Sequence, residues 1–260
     1  MAEPDLVLRE ADQRGVVRLT LNRPQAFNAL SEAMLAALKA EFDAIAQDEA
    51  ARVVVLAGAG RAFCAGHDLK EMRAAPSLEY YEGLFARCTD VMLAIQRLPV
   101  PVIARVHGIA TAAGCQLVAM CDLAVASSEA RFAVSGVNFG LFCSTPSVAV
   151  ARNVARKQAM EMLLTGDFID AETARIRGLV NRVATLDRLD AEIEALCAKI
   201  IAKPRVAIAI GKEQFYRQIE KGIAEAYEIA GAAMACNMMD ESALEGVQAF
   251  VERRVPAWAK

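Results

Sequence analysis

Histidine is nearly absent from this chain: its 260 residues include only two, His67 and His107. Seven cysteines are scattered along it, and no two stand in a CxxC spacing. So few imidazoles and no paired thiols exclude a His/Cys metal centre, and no metal is expected. Reduced thiols of a cytoplasmic protein are the simplest account of the odd cysteine count. No apolar run reaches the roughly 18–20 residues that a membrane span needs. The opening MAEPDLVLREADQRG has no basic segment followed by an apolar one, so a secretory signal is not expected. Excess charge is missing too: a net charge of -3 argues against nucleic acid as a partner. Repeats, linkers and low-complexity segments are lacking. At 55% hydrophobic, the chain reads as one large domain, or one domain with a tail.

What is present centres on Pro101 to Asp122, PVIARVHGIATAAGCQLVAMCD. The apolar, β-branched run Val102 to Val106 predicts a buried strand. Thr111-Ala112-Ala113-Gly114 reads as a loop of small residues, and a helical pattern runs from Cys115 to Cys121. Small residues at such a turn let a ligand approach the backbone, and the N–H groups of the helix start favour negative charge there. That is an anion or oxyanion site in outline; a turn kept small for packing reads equally well at this point.

Along the chain, Val7 to Leu21 predicts a β-hairpin turning at Asp12 to Gly15. Ser31 is placed to cap a helix running to about Gln47. Val53 to Leu56 follows as a buried strand. Gly58-Ala59-Gly60 lacks the third glycine and the helix of a dinucleotide fingerprint. A helix is expected over 78–97, strands over 123–126 and 131–133, an irregular loop over 140–146, and one helix over 147–164. Asp170 caps a further helix that stops at Gly178, and LVNRV follows as a strand. From Asp187 onward the pattern is helical, broken by Pro204 and Gly222. Strands alternating with helices ahead of a helical tail describe an α/β core with a helical C-terminal subdomain.

Taken together, NRPQAFNAL at 22–30, AFCAGHDLKEM at 62–72, PVIARVHGIATAAGCQLVAMCDLAVAS at 101–127, AMEMLLTGDFIDAETARIRGLV at 159–180 and EGVQAFVERR at 245–254 resemble the crotonase, or enoyl-CoA hydratase/isomerase, superfamily. GHDLKE, ATAAGCQLVA and GVNFGLFCSTP are similar to one subgroup in particular. The resemblance implies an α/β fold, the ClpP-like spiral of ββα units, over residues 1–195. A C-terminal helical trimerisation region would span 196–260. It implies an acyl-CoA substrate in fatty-acid metabolism, coenzyme A being part of that thioester and no separate cofactor being needed. It also implies a homotrimer or a hexamer built as a dimer of trimers.

The family's shared chemistry holds an enolate or oxyanion with two backbone N–H groups. By resemblance these belong to His67 and Ala113, the latter standing where many relatives carry glycine. CoA contacts map to Gln25, Ala26 and Phe27 and to His67, Asp68, Leu69 and Lys70. Arg253 maps to a basic residue that reaches a neighbouring subunit's CoA, where a guanidinium suits a phosphate.

Two glutamates of typical hydratases map to Gln116 and Gly136, and an aspartate of some other members maps to Ser144. None of the three is a carboxylate. Gln116 orients by hydrogen bonding but exchanges no proton near neutral pH. The His67 imidazole is a candidate proton carrier. Cys64, Cys115 and Cys143 are candidate pocket thiols, and more often such cysteines are small buried hydrophobes. Ser144 lacks a GxSxG elbow, so a serine hydrolase is not indicated. His107 reads as structural. Asn138 either touches substrate or holds its loop.

Overall fold

A computed structural model describes residues 5–74 and 76–259. Its framework is a pair of sheets filled in turn by successive chain segments. The hairpin of β1 (Val7–Ala11) and β2 (Val16–Leu21) leads through a short 3-10 turn to α1 (Glu32–Ala46). Ser31 caps that helix, its Oγ accepting from the Met34 N–H at 3.1 Å. The next unit is β3 (Val53–Gly58), β4 (Ala62–Cys64), α2 (Leu69–Ala74) and α3 (Leu78–Arg97). A second is β5 (Val102–Val106), β6 (Ile109–Thr111) and α4 (Ala113–Met120). The third is β7 (Leu123–Ser127), β8 (Arg131–Ala133), α5 (Ser144–Asn153) and α6 (Arg156–Thr165). After β9 (Ile169–Asp170), α7 (Ala171–Ile176) and β10 (Arg182–Ala184) the rest is helical. Those helices are α8 (Leu189–Ile201), α9 (Arg205–Gln218), α10 (Ile223–Met238) and α11 (Glu241–Val251).

The main sheet runs β1-β2-β3-β5-β7-β10, antiparallel at the hairpin and parallel beyond it. The small sheet runs β4-β6-β8-β9, with β4, β6 and β8 parallel and β9 antiparallel. Each unit therefore lays one strand in each sheet and returns by helix, which is the expected ββα spiral.

Strand alternation explains the two cores. Val54 and Leu56 of β3 face the interior helices, while Val53 and Val55 face the other way, beside Ile103, Val125 and the α8 residues Leu189, Ile193 and Cys197. A parallel strand covered on both faces reads as a continuous apolar run, which is why VVVL stands out in the sequence. The division expected between residues 195 and 196 falls inside α8, which packs on the main sheet. The chain turns away only after it, at Ala202 to Pro204.

The single helix expected over 147–164 is two. Val154 is extended at φ -105 and ψ 139 and buried, so α5 ends there. Asn153 fixes the break by donating to the Ala119 and Ala149 carbonyls, both at 2.9 Å. The loop expected over 140–146 is correspondingly shorter, because α5 already begins at Ser144.

The helical tail is tied to the core through Lys212 of α9. Its buried Nζ donates to the Ile95 and Val100 carbonyls at 2.9 and 3.0 Å and to Asp122 Oδ2 at 2.6 Å. Tyr216 donates to Asp122 Oδ1 at 2.9 Å, and the Val102 N–H to Oδ2 at 2.7 Å. One half-buried carboxylate thus joins α9 to the start of β5, and removing it would strand the buried Lys212 charge in a low dielectric. By contrast α10 buries none of its residues within the chain. Ile223, Tyr227, Met234 and Met239 are each more than 70% exposed.

Candidate active site

The site is built where β4, β6 and β8 end. Parallel strands present their following loops at one edge, the usual place for ligands in α/β sheets. Here those loops carry His67, Ala113 with Gln116, and Gly136. They are pressed together by small residues. A Cβ on Gly66 would stand 2.9 Å from Ala112 Cβ and 3.2 Å from the Ala113 nitrogen. One on Gly114 would overlap the Cys64 carbonyl. Thr111 Oγ1 and Ser135 Oγ, 2.8 Å apart, fasten the second loop to the third.

Two backbone N–H groups in these loops bear on the site. Leu30 pairs with the β4 loop as a parallel bridge, its N–H donating to the Gly66 carbonyl at 2.7 Å and its carbonyl accepting from the Asp68 N–H at 3.3 Å. That pattern uses residues 66 and 68 and turns the His67 N–H away from Leu30. Ala113 is the first residue of α4, whose opening N–H groups have no intrahelical partner. Among the described residues, neither N–H donates to another protein group. No acidic residue occupies the first turn of α4 to quench its partial positive charge.

Ala112, which aims that helix start, has φ 51 and ψ -121. A Cβ is strained there by about 1–3 kcal/mol. Packing against Gly66 and the 3.0 Å bond from its N–H to the Ala133 carbonyl hold it in place.

The CoA-side residues fall in two groups. Gln25, Ala26 and Phe27 form the 3-10 turn and its cap, docked on the β4 loop by the Ala65 N–H, which donates to the Phe27 carbonyl at 3.0 Å. The Arg61 guanidinium lies 4.4 Å over the Phe27 ring. Leu69 and Lys70 open α2 beside them and are exposed. Asp68 is occupied: it accepts from Arg23 at 2.6 Å and from the Lys70 N–H at 2.9 Å. Burial alone would raise its carboxyl, but Arg23 and the Glu71 and Lys70 N–H groups hold it below the usual range. Arg253 lies after α11, and among the described residues no hydrogen bond or ion pair joins it to the strand-end cluster.

A residue with no evident chemistry does much of the assembly. Asn28 is fully buried, and its Nδ2 donates to the Ala59, Ala62 and Phe63 carbonyls at 2.9, 2.8 and 3.2 Å. Its Oδ1 accepts from the Arg23 N–H at 2.9 Å. Its φ of 56 suits asparagine, which tolerates left-handed backbone. The second asparagine of NRPQAFN, four residues after a proline turn, was the available signal.

The proton-handling positions are neutral. Gln116 is buried, and its Oε1 has no hydrogen-bond partner. Both His67 ring nitrogens are likewise buried without a partner, the ring standing edge-on to Phe85 of α3 at 5.6 Å. Burial pushes the His67 pKa down; the nearby Leu30 carbonyl pulls weakly the other way without hydrogen-bonding geometry. Gly136 has no room for a side chain: a Cβ would overlap the Leu141 carbonyl and stand 2.8 Å from Cys143 Sγ. The Gly136 N–H donates to that sulfur at 3.2 Å.

Cys64 and Cys115 are fully buried and pushed up to about 12 by desolvation, and burial raises Cys143 as well. None is a ready thiolate. Ser144 is exposed at the start of α5. Asn138 holds its loop by a 3.4 Å bond to the Gly166 carbonyl. His107 Nε2 meets the Gly60 carbonyl at 2.8 Å, a structural tie between the two strand crossings. Two open clefts of about 340 and 480 Å³ lie elsewhere, one between α1 and α3 and one beside Arg205 and Trp258.

The sequence model of the enoyl-CoA hydratase/isomerase family matches residues 11–260. The chain belongs to that family. Rat enoyl-CoA hydratase domain-containing protein 3, mitochondrial, is 43% identical over 247 residues, 95% of this chain and 82% of the relative. Among solved structures, an enoyl-CoA hydratase of Mycobacterium smegmatis is 71% identical, with a TM-score of 0.97 over 99% of this chain and 100% of that one. Human enoyl Coenzyme A hydratase domain-containing protein 3 is 41% identical, with a TM-score of 0.94 over 97% and 100%. The fold expected from the motifs is the fold of the family, including its helical C-terminal region.

Replacing Ala112 by glycine removes the Cβ strain but loosens the unfolded chain, leaving a net stabilisation of up to about 2.5 kcal/mol. Thermal melting of Ala112→Gly checks this; a folded variant less stable than the wild type contradicts the strain. Because burial depresses the His67 pKa, the unfolded ring takes up a proton as pH falls through about 6.5 while the folded ring resists. Stability is therefore present above that pH and lost below it, with His107 shifted in the same direction. His67→Phe should flatten the acid limb of a urea-midpoint-against-pH curve, and an unchanged slope would show that His67 titrates normally.

Proposed function

We propose that this protein binds acyl-CoA thioesters and stabilises an enolate or oxyanion with the backbone N–H groups of His67 and Ala113, in fatty-acid or related acyl-CoA metabolism. The observation that carries the reading is the pair of unpartnered N–H groups brought to one edge of the small sheet, one of them at a helix N-terminus. Preorganised donors of this kind contribute about 3–4 kcal/mol each where charge develops. Gln25 to Phe27 and His67 to Lys70 supply one continuous surface for the CoA moiety. Arg253, outside that cluster, serves a neighbouring copy's CoA in a trimer or a dimer of trimers. The apolar face that α10 leaves exposed supports such an assembly. All seven cysteines are free and six are buried, which supports a reducing compartment such as the cytoplasm. No helix among the described residues is long and apolar enough to cross a membrane.

The reaction is not hydration by paired carboxylates. Gln116 supplies an amide in place of the first, and the space at Gly136 closed by Leu141 and Cys143 leaves no side chain for the second. Proton transfer falls to the neutral His67 imidazole, in an isomerisation, decarboxylation or unconventional hydration of the thioester. The same closed space favours a second reading, an acyl-CoA binder without turnover.

Titration with crotonyl-CoA, while loss of the enoyl absorbance is followed, tests these readings. Binding should be retained by the wild type, and any turnover should fall at least about 100-fold in folded Ala113→Pro, which removes one donor N–H. Wild-type protein that binds no acyl-CoA, or undiminished turnover in the folded variant, contradicts the oxyanion site. Binding without turnover selects the second reading.

A further inference from the structure

The three oxygens that Lys212 Nζ meets belong to the ends of two helices, and both helices bear on the donor residues. The Ile95 carbonyl, 2.9 Å away, lies in the last turn of α3, where carbonyls lack a partner within the helix. The Val100 carbonyl, at 3.0 Å, follows in the turn that leads into β5. Asp122, whose Oδ2 is 2.6 Å away, is the second residue after α4. Farther up the same helices, Phe85 of α3 stands 5.6 Å from the His67 ring and Ala113 opens α4. α3 and α4 also touch each other directly. One ammonium therefore fixes the ends of both helices against each other from outside the site.

Apolar packing would hold two helix ends at least as stably as a buried charge does. What an ammonium with three fixed acceptors adds is direction, because each N–H has one oxygen to meet. The Lys212 side chain is only 6% exposed, so water does not replace a bond that is lost. Tyr216, one turn further along α9, grips the second oxygen of Asp122 at 2.9 Å. We propose that Lys212 is a positioning residue for the thioester site: by locking the ends of α3 and α4 it sets where the His67 and Ala113 N–H groups stand. The helical tail thereby controls how tightly a thioester oxygen is held. The inference rests on the oxyanion reading above and deepens it. A misplacement of about 1 Å at such a site is enough to cost about 100-fold in rate.

Infrared difference spectra of butyryl-CoA labelled with ¹³C at its thioester carbonyl, together with calorimetric titration, test this on the intact protein without requiring turnover. Binding to the wild type lowers the carbonyl frequency. Lys212→Met should lose part of that lowering and bind butyryl-CoA about tenfold more weakly, the worth of one hydrogen bond. Tyr216→Phe spares the charge pair and frees only Asp122 Oδ1, so both readouts should move the same way by less. Ile193→Ala opens a cavity in the core on the other face of the main sheet. It should melt at a lower temperature and still give the wild-type carbonyl frequency. Wild-type frequency and affinity in Lys212→Met overturn the positioning role; if that variant does not fold, the same result in Tyr216→Phe does so. An equal loss in Ile193→Ala also overturns it, because stability alone would then account for the effect. A wild-type carbonyl bound at its solution frequency removes the oxyanion reading itself.

Discussion

The close approach of two backbones, the loop after β4 and the start of α4, is the constraint on which this site depends. Gly66 touches Ala112 and the Ala113 nitrogen, and Gly114 leaves no gap for a side chain before the Cys64 carbonyl. That contact sets the loop carrying His67 against the helix start, where Ala112 holds a backbone region that alanine avoids. The surrounding structure must therefore over-determine the loop. Asn28 does so from behind with four hydrogen bonds, Leu30 with its bridge, and Asp68 by pairing with Arg23 and opening α2. A rigid pair of donors follows from these bonds rather than from any catalytic side chain.

Around those donors the site is electrically quiet. Its amide carries no charge, burial keeps its imidazole and thiols neutral, and the adjacent carboxylate, Asp68, is paired with Arg23. Helix-terminus dipoles act more strongly in such low-dielectric surroundings. The same neutrality removes the proton exchange that paired carboxylates would give. The scaffold is that of the enoyl-CoA hydratase/isomerase family, while Gln116 and Gly136 offer no carboxylate for proton exchange.

Much of the scaffold was legible in the chain. The hairpin, α1 with its Ser31 cap, the VVVL strand and the helix over 78–97 carry periodicity over long windows and strong end signals. The small sheet was only partly visible, because β4 and β6 are three residues each, too short to display alternation. Yet their ends carry the candidate site; the small residues around Ala113 hinted at it, and the motif resemblance alone pointed to His67. The split between α5 and α6 depends on Asn153 reaching the Ala119 carbonyl, a contact no local pattern encodes. Nothing in the sequence around Lys212 marks it as buried; its contact with Asp122 exists only once the tail is folded back. The small residues around Ala113 left packing and anion binding open, and the unpartnered N–H groups favour the second.

The central claim is that two backbone N–H groups grip a thioester oxygen. The most direct measurement is the infrared difference spectrum of butyryl-CoA labelled with ¹³C at its thioester carbonyl, free and bound. Two converging donors predict a bound carbonyl stretch at lower frequency than in water, with the shift reduced in Ala113→Pro. A bound carbonyl at its solution frequency would contradict the account.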